Sequence, residues 1–117
     1  MKKMRKQRRR LLCRWKEEQT ENNSIAQINL EQAQKLLKKC ENVFLVDVRS
    51  PQEYAEGHID RAILIPNYEI REKAKKILKD KEATIILYCS SGIRSKKAAR
   101  ELERLGFTNL YVLTENL

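Results

Sequence analysis

A short apolar run that ends in a cysteine constrains the fold of this chain more than any other feature. The run Thr84 to Tyr88 has the β-branched and apolar composition of a buried strand. Cys89 follows directly, then small residues, Gly92 and Arg94, and then a helical pattern. A strand that leads through a short loop into a helix places the thiol beside inward-pointing amides at the positive end of a helix dipole. This order predicts an α/β layer with Cys89 at the carboxyl edge of its sheet.

The rest of the chain repeats the alternation of short apolar runs and helical patterns. The predicted strands are 27–29, 43–46, 62–65, 84–88 and 110–113. The predicted helices are 30–39, a short one from Pro51 that ends at Gly57, 68–79 and 96–105. The expected fold class is therefore α/β, with a central, mostly parallel sheet of about five short strands flanked by helices.

Helix ends and helix faces carry more specific expectations. Asn29 and Gln32 have the spacing of a capping box, and Ser95 is expected to cap the last helix. In the helix 68–79, the residues expected to face inward are Ile70, Ala74, Ile77 and Leu78.

The net charge of +9 is concentrated at the N-terminus. Residues 1–16 contain nine basic and no acidic side chains, which leaves sixteen of each in the remainder. Residues 1–24 are therefore interpreted as a basic arm and linker, disordered or partly helical around Leu11, Leu12 and Trp15. Contact of this arm with nucleic acid or an anionic surface is the less favoured alternative to a solvated extension or a misassigned start. Residues 25–117 form the predicted domain.

Length and composition exclude several classes of protein. A chain of 117 residues suits one domain. No apolar run is long enough to cross a membrane, and no signal-peptide pattern follows the basic start, so a cytoplasmic location without membrane contact is expected. Three cysteines without a C-x-x-C pair argue against a disulfide framework and a zinc ribbon, and a single histidine argues against a metal site.

Cys89 is the predicted nucleophile. Inward amides and the dipole of the following helix both favour the thiolate over the thiol. The loop Ser90, Ser91, Gly92, Ile93, Arg94, Ser95 is predicted to cradle a small anion. Gly92 permits either close backbone approach or a positive φ angle. Arg94 is expected to bind the anionic end of a substrate; the alternative is a salt bridge to Glu101 or another surface acid.

Three motifs in sequence order, together with the Cys89 loop, resemble a single-domain rhodanese. They are 47–54 (DVRSPQEY), 57–59 (GHI) and 62–66 (AILIP), and the resemblance covers about residues 25–117. It implies a central parallel sheet flanked by helices. It also implies a sulfurtransferase whose cysteine takes a sulfane sulfur from a small anionic donor such as thiosulfate. The resulting persulfide passes its sulfur to cyanide or a thiol, including a protein thiol, without metal or organic cofactor.

The resemblance also assigns roles to residues outside the loop. Asp47 is expected to support the active loop by hydrogen bonding, and Arg49 to add positive potential at the pocket mouth. His58 is expected to belong to a structural turn and not to act as a base. Cys40 is interpreted as a small apolar residue at a helix end.

Two other functions stay open. The first is a rhodanese-like binding or sulfur-carrier module. The second, less favoured, is a small phosphatase or arsenate reductase relative. Phosphatases of this fold class have five residues between cysteine and arginine, whereas four separate Cys89 from Arg94. Because the chain stops at residues 114–117 without the family's closing helix, a shortened C-terminus is expected to lower stability or to favour a homodimer.

Overall fold

The computed structural model describes residues 25–114, which form a five-stranded, all-parallel sheet with helices on both faces. The predicted α/β class is confirmed. The strands are β1 Ile25–Ile28, β2 Val43–Asp47, β3 Ile63–Leu64, β4 Thr84–Tyr88 and β5 Asn109–Leu113. Their order across the sheet is β1-β5-β4-β2-β3. β4, the strand that leads to Cys89, therefore lies at the centre.

Four α-helices and one 3-10 turn connect the strands. They are α1 Leu30–Lys39, α2 Pro51–Glu56, the 3-10 turn Asn67–Glu69, α3 Ile70–Ile77 and α4 Ile93–Arg104. Within residues 25–114, no helix is both long enough and apolar enough to cross a membrane.

The register of the central strands brings two separate sequence motifs to one edge. Asp47 pairs with Tyr88 across β2 and β4, and the N–H of Val48 donates to the carbonyl of Tyr88 at 3.1 Å. The chain beyond each strand therefore leaves the sheet at the same level. This places Arg49 and Cys89 at a common carboxyl edge, where parallel sheets bind their ligands.

The core consists of two apolar layers, one on each face of the sheet. One layer packs α3 and α4 against the sheet through Ile70, Ala74, Ala98 and Leu102, and it includes Cys89. The other layer packs α1 and α2 and contains Ala33, Leu36 and Tyr88, with Tyr54 at its margin. Since neighbouring residues of a strand point to opposite faces, Tyr88 and Cys89 belong to different layers.

Two local predictions about helices are confirmed. Asn29 caps α1: its side chain accepts the N–H of Gln32 at 2.8 Å, and the Gln32 side chain accepts the N–H of Asn29 at 2.9 Å. The helix from Pro51 also ends before Gly57, as predicted.

Three local predictions are wrong. Ser95 does not cap the last helix, because α4 already begins at Ile93 after an N-cap at Gly92. Ile77 is 41% exposed at the end of α3, because the helix is shorter than its apolar pattern suggests. Cys40 is buried after α1 but takes part in a disulfide bond, so it is more than a small apolar residue, and the expectation of a chain without disulfides is corrected.

The two isoleucines of α3 test the assignment of its buried face. Ile70 is fully buried, whereas Ile77 is 41% exposed. We expect Ile70→Ala to lower the free energy of unfolding by about 2–5 kcal/mol, because it leaves a cavity in the core. Ile77→Ala should stay within about 1 kcal/mol. Urea denaturation of both variants measures the two free energies of unfolding. Equal losses of stability would contradict the assignment of Ile70, and not Ile77, to the buried face.

Candidate active site

The thiol of Cys89 lies at the floor of the loop between β4 and α4. The residue is 1% exposed and its thiol is free. The preceding strand β4 is hydrogen-bonded to β2 on one side and to β5 on the other, which fixes the position of Cys89. Helix α4 begins four residues after Cys89. A thiol held between a central strand and a helix N-terminus has little freedom to move.

Backbone amides of the loop and the first turn of α4 point at this sulfur. The N–H of Gly92 donates to Cys89 Sγ at 3.0 Å, and the N–H of Ser95 donates at 3.4 Å. Amide donors aimed at one atom, with a helix dipole behind them, stabilise negative charge on that atom.

The hydroxyl of Ser95 changes its role with the charge on the sulfur. Its Oγ lies 3.5 Å from Cys89 Sγ and 3.0 Å from the carbonyl oxygen of Gly92. In the thiol form, Sγ–H donates to Oγ while the hydroxyl donates to the carbonyl. In the thiolate form, the same hydroxyl can rotate and donate to the sulfur, since a hydroxyl serves as donor and acceptor.

The balance of these effects lowers the pKa of Cys89. Burial raises it and is the largest single effect, because charge is costly away from water. The Ser95 hydroxyl and the N–H groups of Ser95, Ser91 and Gly92 outweigh burial together, so the pKa falls below the ordinary value of a thiol. The site therefore favours a buried thiolate.

Gly92 is required for its conformation and not for space. Its φ is +86°, in the left-handed region, as the N-cap of α4. A Cβ built at this position would meet no heavy atom within 4 Å. Of the two alternatives left open by the sequence, the positive φ angle is the one that the structure uses.

Arg94 is bound to a carboxylate that the sequence analysis did not select. Its Nη1 and Nη2 donate to Glu53 Oε1 and Oε2 at 2.7 and 2.9 Å, and Nη2 also donates to Ser90 Oγ at 3.1 Å. Glu101, the partner considered from the sequence, accepts a hydrogen bond from Arg71 instead. The bidentate contact with Arg94 is the main reason that the pKa of Glu53 falls to about 2.

Asp47 and Arg49 form a second ion pair at the same edge. Arg49 Nε lies 3.0 Å from Asp47 Oδ1, and Nη2 lies 2.7 Å from Oδ2. Asp47 is fully buried, and its Oδ1 also accepts the N–H of Arg49 at 2.9 Å. These hydrogen bonds show that Asp47 anchors Arg49. Support of the active loop by Asp47 stays a prediction.

Arg49, His58 and Tyr88 surround a cavity of about 260 Å³ together with Gly57 and Ile59. The guanidinium of Arg49 lies 5.7 Å from the centre of the Tyr88 ring, and its Nη2 donates to the carbonyl of Gly57. His58 is exposed and stacks on Tyr54 with ring centres 3.7 Å apart. Its Nδ1 lies 2.8 Å from the Tyr54 carbonyl oxygen, so His58 belongs to the turn after α2.

A local sequence motif indicates where Glu53 lies at the start of α2, but no motif indicates that Arg94 is its partner. Ser50, Pro51 and Glu53 have the spacing of a capping box at the start of α2. The structure forms this box: the N–H of Glu53 donates to Ser50 Oγ, and the N–H of Ser50 donates to Glu53 Oε1. The contact of Glu53 with Arg94 joins residues 41 positions apart and depends on the sheet order.

A strand–cysteine loop–helix unit on a parallel sheet defines a class of α/β proteins with a thiolate site. The family model described as "Rhodanese-like domain" matches residues 29–116, and the chain belongs to this family. A tRNA uridine(34) hydroxylase of Buchnera aphidicola is 35% identical over 96 residues, which cover 79% of this chain and 29% of that relative. The chain spans less than a third of the length of these hydroxylases.

Solved structures give the same family assignment. A rhodanese with anions from E. coli has a TM-score of 0.57 and 32% identity, and the match covers 63% of this chain and 85% of that one. A rhodanese-related protein from Thermoplasma volcanium has a TM-score of 0.64 and 30% identity, with coverage of 76% and 84%. The resemblance found in the sequence is confirmed.

The Ser95 hydroxyl provides a test of thiolate stabilisation. In Ser95→Ala the sulfur loses a donor, so we expect the pKa of Cys89 to rise, because one hydrogen bond to the thiolate is lost. The pH midpoint for alkylation of Cys89 by iodoacetamide, followed by peptide mass, should move upward equally. Ser91→Ala is the matched control, because Ser91 contributes its backbone N–H alone. An unchanged midpoint in Ser95→Ala would contradict this role.

Proposed function

We propose that this protein is a sulfurtransferase that carries a sulfane sulfur as a persulfide on Cys89. The observation that supports the proposal best is the buried sulfur with amide donors from Gly92 and Ser95 and a lowered pKa. A thiolate is the form that attacks a sulfur–sulfur bond, and its reactivity follows the fraction ionised. A cytoplasmic location is part of this proposal.

The first half-reaction needs no proton transfer when the donor is thiosulfate. The thiolate of Cys89 attacks the outer sulfur, a new sulfur–sulfur bond forms, and the bond inside thiosulfate breaks. Sulfite leaves with the bonding electron pair, and the charge of minus three is the same on both sides. Cyanide then removes the outer sulfur as thiocyanate and restores the thiolate.

The loop suits the persulfide as well as the thiolate. The terminal sulfur of a persulfide carries negative charge and lies one bond further out than Sγ. The remaining loop amides and the dipole of α4 are available to stabilise it there. Ser95 adds a hydroxyl that can donate to sulfur once the thiol proton is gone.

Two observations favour sulfur transfer over phosphate ester hydrolysis. Four residues separate Cys89 from Arg94, one fewer than in phosphatases of this fold class. Arg94, which would bind a phosphate, instead has its guanidinium on Glu53. A phosphate dianion would have to displace that carboxylate.

Intact mass of the purified protein tests the proposal directly. After incubation with thiosulfate or with an organic persulfide, we expect a gain of one sulfur that cyanide removes and that Cys89→Ser lacks. A persulfide that forms but turns over slowly with every small acceptor would instead support the sulfur-carrier alternative. No sulfur gain from either donor, on a reduced Cys89, would refute the proposal.

The names of the relatives favour a second candidate function, action on uridine 34 of tRNA. The Buchnera protein and others that this chain matches are tRNA uridine(34) hydroxylases. The family model covers residues 29–116, which include Cys89 and the loop. The nine basic residues of 1–16 would suit a polyanionic partner.

Nucleoside analysis of tRNA tests this second candidate. The chain would be expressed in a bacterial strain that lacks its own tRNA uridine(34) hydroxylase. If the candidate is right, hydroxylated uridine should reappear at position 34 with the wild-type chain and not with Cys89→Ser. Absence of the modified nucleoside in both, with both proteins present at equal levels, would reject it.

A further inference from the structure

Both arginines at the carboxyl edge of the sheet are neutralised by carboxylates. Arg49 is paired with Asp47 through three side-chain nitrogen–oxygen contacts of 2.7–3.1 Å. Arg94 is paired with Glu53 through two contacts of 2.7 and 2.9 Å. The positive potential expected from these side chains at the mouth is therefore largely cancelled. The two pairs differ in exposure: the Asp47 side chain is fully buried, whereas the Glu53 and Arg94 side chains are each 31% exposed. Of the two carboxylates, Glu53 is thus the one that solvent reaches, and its partner Arg94 belongs to the Cys89 loop.

The capping box holds Glu53 in place. Its Oε1 accepts the N–H of Ser50 at 3.0 Å as well as Nη1 of Arg94, while Oε2 accepts Nη2. If the Glu53 carboxylate moved away, its contact with Arg94 and its capping hydrogen bond at the first turn of α2 would both be lost. Because the pKa of Glu53 is about 2, the carboxylate stays ionised throughout the working pH range.

We propose that Glu53 sets the donor specificity of the Cys89 site. By neutralising Arg94 at the mouth, it makes the site prefer sulfane-sulfur donors with a single negative charge, such as the persulfide of an organic thiol, over the dianion thiosulfate. This inference rests on the proposed sulfur transfer through Cys89 and adds the class of donor.

Coulomb's law gives the proposal a quantitative form. The interaction energy of one fixed carboxylate with a ligand is proportional to the ligand charge. Removal of the Glu53 charge should therefore help a dianion twice as much in free energy as a monoanion. In fold-change, the effect on the dianion is the square of the effect on the monoanion.

Methanethiosulfonate and thiosulfate form a matched pair of donors. They share the sulfonyl sulfur and the outer sulfur, and a methyl group in one replaces a charged oxygen of the other. With methanethiosulfonate, the Cys89 thiolate bonds to the outer sulfur and methanesulfinate leaves with the electron pair. Both reactions give the same persulfide, so thiocyanate formation with cyanide measures both.

Glu53→Gln removes the charge and keeps the geometry. Glutamine also serves at this position of a capping box and still accepts one hydrogen bond from Arg94. We expect the KM for thiosulfate to fall about tenfold and that for methanethiosulfonate about threefold, with kcat nearly unchanged. The ratio between the two donors, compared with wild type, cancels their different intrinsic reactivities.

Two further variants control the experiment. Glu56→Gln removes a charge from an exposed residue of the same helix, and it should leave the donor ratio unchanged. Glu53→Ala removes the carboxylate altogether, so it tests the proposal if Glu53→Gln does not fold. Thermal melting of each variant establishes that the compared proteins are folded.

The outcomes separate this inference from the function on which it rests. If wild type gains no sulfur from any donor, the proposed function fails. If wild type turns over both donors and Glu53→Gln leaves their KM ratio unchanged, or Glu56→Gln shifts it equally, only the role of Glu53 is overturned. A selective gain for thiosulfate in the Glu53 variants supports it.

Discussion

The contact between Cys89 Sγ and the amides of Gly92 and Ser95 is the interaction on which the site depends. It needs β4 to end immediately before Cys89, a turn that brings the chain back over the sulfur, and a helix that starts at Ile93. Burial of the sulfur opposes ionisation, and the Ser95 hydroxyl and the amides together outweigh it. The thiolate is therefore stabilised by one hydroxyl and by backbone donors that the fold holds in place before charge develops.

The backbone conformation of Gly92 makes the contacts with the Cys89 sulfur possible. Its positive φ lets α4 begin three residues earlier than a serine cap at position 95 would allow. Ser95 is consequently inside the first turn, where its N–H and hydroxyl both face the sulfur. A residue predicted to end the loop has instead become one of the groups that tune the nucleophile.

The two ion pairs give the site a different character from the one that its arginines suggest. A loop with an arginine five residues after the cysteine predicts a binding site for a small anion. The structure instead places a carboxylate on each guanidinium. The amides and dipole of α4 are then the main positive elements near the sulfur, and they act on the sulfur itself more than on a distant oxyanion.

The sequence by itself determined the alternation of strands and helices, the Asn29 capping box, the family and the position of the cysteine loop. These follow from local periodicity and from residues close together in the chain, such as Cys89, Gly92 and the run that precedes them. Only the tertiary structure decided that Arg94 pairs with Glu53, that Asp47 anchors Arg49, and that Ile77 is solvated. These three features depend on which strands are neighbours in the sheet or on the residue at which a helix ends. The spacing of residues along the chain encodes neither the strand order nor the helix end.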